Sequence, residues 1–465
     1  MRHLGTRNIL LLILVGAVVV RLLLFGYLFF QDTPEFFVLG DSNGYLRIAH
    51  NLIEGNGYSQ FTELPHLPDS MRVPGFPAML AVSIGAFGSY IPIVLLQILF
   101  AAVLVFLTYR IALLVSGNER GALIAAALMA FEPYSVFIST SVLTETTFAL
   151  LLACGAYAAL RFLQEPGIGS VALSSVFFGA AALVRPIGEF LPLVLVPLVF
   201  LRVPARAYLK YLALAVVPFL IVIGPWLFRN YTTFGVPALS SGGLQNVYSD
   251  LGGAIIGVRD NIPTPEAKQQ LEEDFVQRHN IVWATLQTDL SNGPAMFKEG
   301  IGIMLSNPVA TIKVLTSISI TFFTHDAWTY YLQRWDILPR YEVLFSPSYT
   351  LMTEGPIVAL RESIAHAGWT LPTALLGRAF WMGISALFFV GIAAMIMRGG
   401  RERMYALFLA LVVLYLLALS ASVGFGINGR FRYPVNSIFF TGAVIGGSLI
   451  MNWLKERYAR TLTLP

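Results

Sequence analysis

Cysteine and charged residues are both scarce in this chain of 465 residues. Its one cysteine, Cys154, excludes an intramolecular disulfide. Charged residues make up 12% of the chain and hydrophobic residues 56%, whereas soluble domains carry roughly 25% charged residues. The basic residues behind the net charge of +4 lie in short loops between apolar runs, not in a patch that would hold nucleic acid. We therefore expect an integral membrane protein with membrane lipids around it and no nucleic-acid partner.

Several motifs of catalysis and cofactor binding are also absent. The sequence contains no Walker A motif, no H-E-x-x-H and no D-x-D, and its six histidines lack the spacing of metal ligands. Residues 424–429 match G-x-G-x-x-G, but they lie between apolar runs and do not follow a strand, so we assign no dinucleotide site. We expect no cofactor and name no metal ligand. A divalent metal ion is compatible with the chemistry considered below, although no motif supports one.

Apolar runs close to the roughly 20 residues that cross a bilayer recur along the chain. They predict an all-α polytopic membrane protein with about ten transmembrane helices. Amphipathic interfacial helices are expected in the first extracytoplasmic loop. The third, fifth and sixth spans are predicted at about residues 121–137, 171–184 and 187–201. Because lysine and arginine collect in alternate loops, the positive-inside rule places both chain ends in the cytoplasm.

The spacing of these runs divides the chain into three parts. Residues 1–228 form an N-terminal transmembrane module, which includes the first extracytoplasmic loop at 31–90. Residues 229–371 form an extracytoplasmic region with interfacial helices, and 372–465 contain the C-terminal transmembrane helices. Within the middle part, 309–323 is apolar but short and is interrupted by Lys313. We interpret it as interfacial or re-entrant.

The first long polar stretch, residues 40–77, lies between two predicted spans. Asp41 stands at the start of a predicted helix, and Tyr45 belongs to the apolar face of that helix. A proline-rich turn with Arg72 then returns the chain to the membrane. Two interpretations of Asp41 remain open. It is either an N-cap, a position that aspartate suits well, or the general base of an enzyme that works at the membrane surface.

Other charged residues are predicted at the same outer face. Glu145, in Leu-Thr-Glu-Thr, lies near the lipid boundary, where a carboxylate is costly unless it faces a cavity, a partner or water. Arg185 and Arg229 are on the side where the positive-inside rule disfavours arginine. A lipid phosphate would account for both, because guanidinium groups bind phosphate bidentately. Ordinary anionic headgroups are the alternative. Arg430 and Arg432 repeat this pattern before the last span.

The motifs occur in a characteristic order: D-x-x-x-Y, G-x-G-Y-S, R-x-P-G-F-P, L-T-E, L-V-R-P, P-W-x-x-R-N-Y and R-x-R-Y-P. This order resembles the bacterial GT-C glycosyltransferases of the protein O-mannosyltransferase and lipid A aminoarabinose transferase type. The resemblance implies a GT-C-like fold and transfer of a sugar from a polyprenyl-phosphate donor to a lipid, glycan or protein acceptor. It also implies a multi-pass protein of the bacterial inner (plasma) membrane, with its active site on the extracytoplasmic face.

The resemblance also implies roles for individual residues. Asp41 matches the catalytic acid of the first loop, and Glu145 matches a second acid near the site. The other candidates are the donor-phosphate ligands Arg185, Arg229 and Arg432 and the substrate-binding residues Tyr45, Tyr58 and Arg72. An acceptor hydroxyl is a weak nucleophile that a carboxylate base assists. A lipid phosphate needs only fixed positive charge as it leaves, which fits an inverting single displacement.

The competing function is a secondary transporter or a lipid-linked sugar flippase. Such proteins place polar sites near the middle of the membrane, commonly within repeated halves. Arg21, inside the first predicted span, favours this alternative, because an intramembrane arginine is a functional candidate unless it extends to the interface. Most other unusual polar residues collect at one face, however, and we find no internal repeat. A purely structural scaffold is the third option, and the grouped acids and arginines argue against it.

Overall fold

The computed structural model describes residues 5–31, 36–339, 347–367, 370–425 and 428–462, and every regular element in these ranges is helical. The predicted all-α membrane fold is therefore confirmed. The α-helices are α1 (Thr6–Phe30), α2 (Ser42–Glu54), α3 (Gly75–Phe87), α4 (Ile91–Ser116), α5 (Glu119–Phe131), α6 (Pro133–Ile138), α7 (Glu145–Gln164), α8 (Ile168–Val184), α9 (Pro192–Arg202), α10 (Tyr208–Phe234), α11 (Ser241–Asn246), α12 (Gly253–Asp260), α13 (Thr264–His279), α14 (Gly293–Ser306), α15 (Pro308–Thr324), α16 (Trp328–Arg334), α17 (Pro347–Thr353), α18 (Pro356–Ala367), α19 (Thr370–Arg398), α20 (Gly400–Ser420), α21 (Asn428–Arg432) and α22 (Asn436–Leu462).

Seven helices in the described part of the chain are long and apolar enough to cross a membrane: α1, α4, α7, α10, α19, α20 and α22. The predicted count of about ten spans is not confirmed. The difference lies in α5, α8 and α9, which have 13, 17 and 11 residues and are shorter than the roughly 20 residues typical of a span. Arg185, after α8, nevertheless lies at the Glu145 end of α7, and Arg202, at the end of α9, lies at the opposite end. The predicted span at 121–137 is in fact two helices. The chain breaks at Glu132, whose carboxylate caps α6 by accepting from the backbone N–H of Ser135 at 2.7 Å.

A sharp bend separates α14 from α15. The two helices meet at 104°, as in a broken span or a re-entrant loop. Pro308 begins α15 and has no backbone N–H with which to continue α14. The interpretation of 309–323 as re-entrant agrees with this geometry, and the pair would be an eighth span if it crosses the membrane as one unit.

Small residues let the helices approach closely, as is common where helices pack in lipid. In α7, a side chain at Gly155 would collide with the ring of Phe178 in α8. Between α19 and α22, a side chain at Gly391 would collide with the backbone carbonyl of Gly442. These contacts fix the helix ends relative to one another, and side chains distant in sequence meet at those ends.

Arg21 lies fully buried in α1 and ties that helix to its neighbours. Its guanidinium donates to the carbonyl of Ala130 at 2.8 Å and to Ser139 Oγ at 3.0 Å. It also donates to the carbonyls of Ala17 at 3.0 Å and Ser135 at 3.2 Å. Carbonyls near the ends of α5 and α6 thus serve as its partners, so Arg21 stabilises helix packing.

The two ends of α7 lie about 30 Å apart at 1.5 Å per residue and differ in chemistry. At one end, Arg202 donates to the carbonyls of Leu163 at 2.8 Å and Gln164 at 2.9 Å. At the other end, Glu145 begins the helix. The polar residues of the first loop and the segment before α22 collect around Glu145, and the candidate site forms there.

Candidate active site

Asp41 occupies the N-cap position of α2, but its side chain accepts no hydrogen bond from the backbone of that helix. Its two carboxylate oxygens instead accept from two arginines. Arg72 Nη2 donates to Oδ1 at 3.0 Å, and Arg430 Nη2 donates to Oδ2 at 2.7 Å. Capping therefore does not explain what this carboxylate does in the folded chain, and the charged contacts do.

Glu145 is the first residue of α7 and is completely buried. Its Oε1 atom accepts from Arg185 Nη1 at 2.6 Å and also from Arg430 Nε. Arg185 also donates to Thr144 Oγ1 at 3.3 Å. Arg185 therefore has a protein acid as its partner, so its place at this face does not by itself require a lipid phosphate.

Arg430 bridges the two acids, and it thereby joins five side chains into one group. We call this group the acid–arginine cluster: Asp41, Glu145, Arg72, Arg185 and Arg430. Three guanidinium groups and two carboxylates give it a formal charge of +1 (3 − 2). The cluster can therefore neutralise its own acids and still attract one further anion.

The arginines also set the ionisation of Asp41. Burial alone raises the pKa of this carboxyl, but the guanidinium groups of Arg430 and Arg72 outweigh burial and hold the pKa well below its usual range. Asp41 is therefore a carboxylate at any physiological pH. Its basicity is low as long as both arginines remain in contact with it.

A cavity of about 210 Å³ opens beside the cluster. Asp41 and Arg430 contribute the charged part of its lining. The remaining lining residues are apolar or aromatic: Leu39, Gly40, Tyr134, Leu143, Tyr330 and Tyr331. The cavity thus brings a carboxylate, a guanidinium and three phenol rings together in a space of small-molecule size.

The predicted substrate-binding residues of the first loop contact one another. The guanidinium carbon of Arg72 lies 4.9 Å from the centre of the Tyr45 ring, and Tyr58 donates to the carbonyl of Arg72 at 3.0 Å. Tyr45 itself packs edge-on against Phe76, with 5.4 Å between ring centres. Neither tyrosine is among the residues that line the cavity. They hold Arg72 in place, and direct substrate binding by them stays a prediction.

Two of the predicted phosphate ligands lie outside the cluster. Arg229 Nη1 donates to the carbonyl of Asp69 at 2.8 Å, and its guanidinium lies over the Trp226 ring at 4.8 Å. Arg432 donates to the carbonyls of Phe322 and His325, each at 2.6 Å, and lies 3.5 Å from the centre of the Trp381 ring. The guanidinium groups of both therefore hold backbone segments together, and we do not carry them forward as phosphate ligands.

Arg430 is the cluster residue that sequence reasoning left without a role. Its motif, R-x-R-Y-P, offers two arginines that are two positions apart, and residues at that spacing face in different directions on a helix. Arg430 points to the acids and Arg432 points to α15. The motif was the only available signal, and it could not decide which arginine enters the site.

The described residues contain no group of three histidine, cysteine, aspartate or glutamate side chains placed to hold a metal ion. The two acids of the cluster have arginines as their counterions.

Comparison with known proteins relates part of the sequence, and the fold, to one class of membrane protein. Residues 72–228 match the family model described as dolichyl-phosphate-mannose-protein mannosyltransferase. This segment is about a third of the chain and includes Arg72, Glu145 and Arg185. No match was found among curated proteins.

Similar solved structures come from the same class. The archaeal oligosaccharyltransferase AglB from Archaeoglobus fulgidus, in complex with an inhibitory peptide and a dolichol-phosphate, superposes with a TM-score of 0.51 at 12% identity, over 99% of this chain and 52% of that one. The chain thus spans about half the length of AglB. ArnT from Cupriavidus metallidurans bound to undecaprenyl phosphate gives a TM-score of 0.41 at 16% identity, over 95% of this chain and 77% of that one.

These findings confirm the resemblance to the GT-C glycosyltransferases. The matched segment carries the family pattern, and the AglB structure shares the fold. The chain is a multi-pass membrane protein with the GT-C architecture.

Proposed function

We propose that this protein transfers a sugar from a polyprenyl-phosphate carrier to a hydroxyl of a lipid, glycan or protein acceptor outside the cytoplasm. The observation that carries the proposal is the acid–arginine cluster itself, in which Arg430 joins Asp41 to Glu145 beside a cavity. A base for the acceptor and cations for a leaving phosphate are the two requirements of such a transfer.

The net positive charge of the acid–arginine cluster supports an anionic donor. A polyprenyl-phosphate sugar is a phosphodiester with one negative charge, and the cluster has a formal charge of +1. When the bond to the sugar breaks, the carrier becomes a phosphomonoester and gains negative charge. Arg185 and Arg430 are already held close together on Glu145. Guanidinium groups that are fixed in advance stabilise such growing charge without having to reorganise.

The transfer follows as a single displacement. The acceptor oxygen forms a bond to the anomeric carbon, and its proton passes to the carboxylate of Asp41. The bond from the anomeric carbon to the phosphate oxygen breaks, and its electron pair leaves with the carrier. Attack from the face opposite the leaving group inverts the anomeric centre.

Asp41 can accept this proton only after one of its arginines has moved. Both carboxylate oxygens accept from guanidinium groups in the structure described here, at 3.0 Å and 2.7 Å. A donor phosphate competes for Arg430, and each contact it takes from Asp41 raises the basicity of that carboxylate. Donor binding would thus prepare the base before the acceptor reacts.

The transporter alternative loses its main support. It rested on Arg21 as an intramembrane charge, and Arg21 donates to three backbone carbonyls and a serine hydroxyl within the helix bundle. Its charge therefore has partners that need no transported ligand.

A transfer assay tests the proposal. The full-length protein, purified and placed in lipid bilayers, is incubated with polyprenyl-phosphate carriers bearing radiolabelled sugars and with a membrane extract as acceptor. We expect release of the bare carrier and appearance of label in an acceptor. Movement of intact labelled carrier across the bilayer without its cleavage would refute the enzyme and support a flippase.

A further inference from the structure

Three arginines from three different helices meet at the end of the bundle opposite the acid–arginine cluster. Arg161 lies in the last turn of α7, Arg202 ends α9 and Arg401 is the second residue of α20. The charges of all three act on the hydroxyl of Tyr405 in α20. We call these four residues the distal arginine cluster. We propose that this cluster binds the phosphate of an anionic phospholipid in the leaflet on that side of the membrane.

Helix packing holds the distal arginine cluster together. Arg202 donates to the carbonyls of Leu163 at 2.8 Å and Gln164 at 2.9 Å, which joins the end of α9 to the end of α7. Arg161 donates to Gln164 Oε1 at 3.1 Å. The helix α20 packs against both α7 and α9, and its Tyr405 is only 4% exposed. The arginines therefore surround a buried residue and are not independent charges on separate loops.

The positive charge of the distal arginine cluster is not balanced by acids. Within the described part of the chain, none of its arginines forms an ion pair, and Arg401 forms no hydrogen bond either. The neighbouring acid Glu402 is paired with Arg398 at 3.0 Å. When Glu165, which directly follows α7, is counted with the cluster, the formal charge is +2 (3 − 1). This end of the bundle therefore attracts anions.

Membrane orientation and helix dipoles do not fully explain this arrangement. The positive-inside rule accounts for basic residues near one end of the spans, but it does not require three of them to converge on one buried tyrosine. The dipole of α7 favours Arg161 in its last turn, whereas the dipole of α20 disfavours Arg401 in its first turn. A bound anion accounts for both the convergence and the position of Arg401.

A phospholipid phosphate fits the donors that the cluster offers. Guanidinium groups bind phosphate oxygens bidentately. The Tyr405 hydroxyl has no hydrogen-bond partner among the described residues and can donate as well. Phe200, Leu201 and Leu407 are exposed in the same segments of α9 and α20, and they provide an apolar surface for acyl chains. That surface favours a lipid over free phosphate.

The charge of the cluster selects an anionic headgroup. A zwitterionic lipid would bring its own cation against a formal charge of +2, whereas an anionic lipid would not. Basic pockets between transmembrane helices on the cytoplasmic side bind anionic headgroups in this way, and the predicted topology makes this the cytoplasmic side. The inference is independent of the proposed function, because Arg161 lies about 24 Å along α7 from Glu145.

Lipid binding to the purified full-length protein in detergent tests the proposal. Native mass spectrometry compares phosphatidylglycerol, which is anionic, with phosphatidylcholine of the same acyl chains, which is zwitterionic. We expect the protein to bind one phosphatidylglycerol in preference to phosphatidylcholine. Arg401→Gln and Arg161→Gln should each weaken phosphatidylglycerol binding about fivefold, the effect of one basic residue on an anionic lipid. Binding of phosphatidylcholine should not change.

Arg120→Gln is the matched control. The start of α4 lies near Glu145, because Gln97 donates to the carbonyl of Ser141 at 2.9 Å. Arg120, in the first turn of α5, therefore lies at the same end of the bundle as the distal arginine cluster. The control variant removes the same charge outside the cluster and should leave the affinity for phosphatidylglycerol unchanged. Because Arg401 has no protein partner, Arg401→Gln should also keep the Tm of the lipid-free protein.

Three results would overturn the lipid site. Equal binding of the two lipids would remove the preference for an anionic headgroup. Equal weakening by Arg120→Gln and Arg401→Gln would show an effect of overall charge instead of a site. Inorganic phosphate is the last probe, and displacement of phosphatidylglycerol by an equal concentration of phosphate would show that the cluster binds free phosphate rather than a lipid.

Discussion

Replacing Asp41 by asparagine separates catalysis from folding and from donor binding. The change removes one negative charge while it keeps the size of the side chain and one acceptor oxygen. Because Asp41 makes no side-chain cap with α2, that helix loses no hydrogen bond. The side chain is 34% exposed, and ion pairs with that access to water contribute about 0 to 1 kcal/mol. We therefore expect the free energy of unfolding to change by no more than about 1 kcal/mol.

Turnover should change far more. A neutral amide cannot take the proton of the acceptor hydroxyl, and loss of a positioned base lowers rates by about 10²- to 10⁴-fold. Affinity for the donor should be kept or should increase. The cluster charge rises from +1 to +2, and Arg430 still has Glu145 as a partner.

The assay has three readouts on the purified protein: release of labelled carrier, thermal unfolding and binding of polyprenyl phosphate. Asp260→Asn is the matched control, since Asp260 pairs with Arg259 at 2.6 Å and is 41% exposed. It should leave all three readouts unchanged. Near-normal turnover in Asp41→Asn would refute Asp41 as the base. Loss of donor affinity in parallel with turnover would show instead that Asp41 orients Arg72 and Arg430.

Four further predictions follow from the same contacts. Arg185→Ala should raise the KM for the donor at least tenfold. Arg185→Lys should raise the KM less, because lysine keeps the charge but not the bidentate geometry. An unchanged KM in the alanine variant would show that Arg185 does not bind the donor phosphate. Glu145→Gln should destabilise the protein by about 3 to 5 kcal/mol, seen as a lower Tm, because it leaves Arg185 without its acid and Arg430 with Asp41 alone. An unaltered Tm would show that the arginines find other partners. Burial raises the pKa of Asp69 above its ordinary value, to about 6. The folded protein therefore binds the proton of this carboxyl more tightly than the unfolded chain does. The free energy of unfolding should then fall as the pH rises from about 4 to 6. Asp69→Asn should therefore raise the Tm relative to the unmodified protein above pH 6 and not below pH 4, and a Tm difference that is constant with pH would contradict the assignment. Glu63 belongs to the first loop, at the Glu145 end of α7, and Glu165 follows the other end of that helix. Cysteines introduced at these two positions in a Cys154→Ala background should therefore react with an impermeant reagent from opposite sides of the membrane, position 63 from outside. Labelling of position 63 from the cytoplasm would place the site on the wrong face.

The class of fold was available from the sequence, because the bilayer limits spanning segments to long apolar helices or closed barrels. Composition and the length of apolar runs were enough to predict an all-α membrane protein. Whether the short helices cross the membrane was harder to predict. Apolar character alone does not show whether α5, α8 or α9 crosses the membrane, since a helix packed among other helices is also apolar.

The site was predicted in part, because charge near a lipid boundary is costly and therefore informative. Asp41, Glu145, Arg72 and Arg185 could all be named from their positions at one face, and the structure brings these four together through Arg430. Their partners could not be named. An ion pair between residues 285 positions apart, as between Glu145 and Arg430, depends on which helix ends meet, and local sequence carries no record of that.

The tertiary structure alone decided between residues of the same type. Arg430 and Arg432 share one motif and one short helix, yet the first binds two carboxylates and the second binds two backbone carbonyls. Tyr330 and Tyr331 of α16 line the cavity, where Arg432 of α21 binds the carbonyl of His325 just before that helix. Sequence determined where charge and apolar surface lie along each helix, because those properties belong to single residues. Which charges face each other depends on helix packing, and packing is a property of the whole chain.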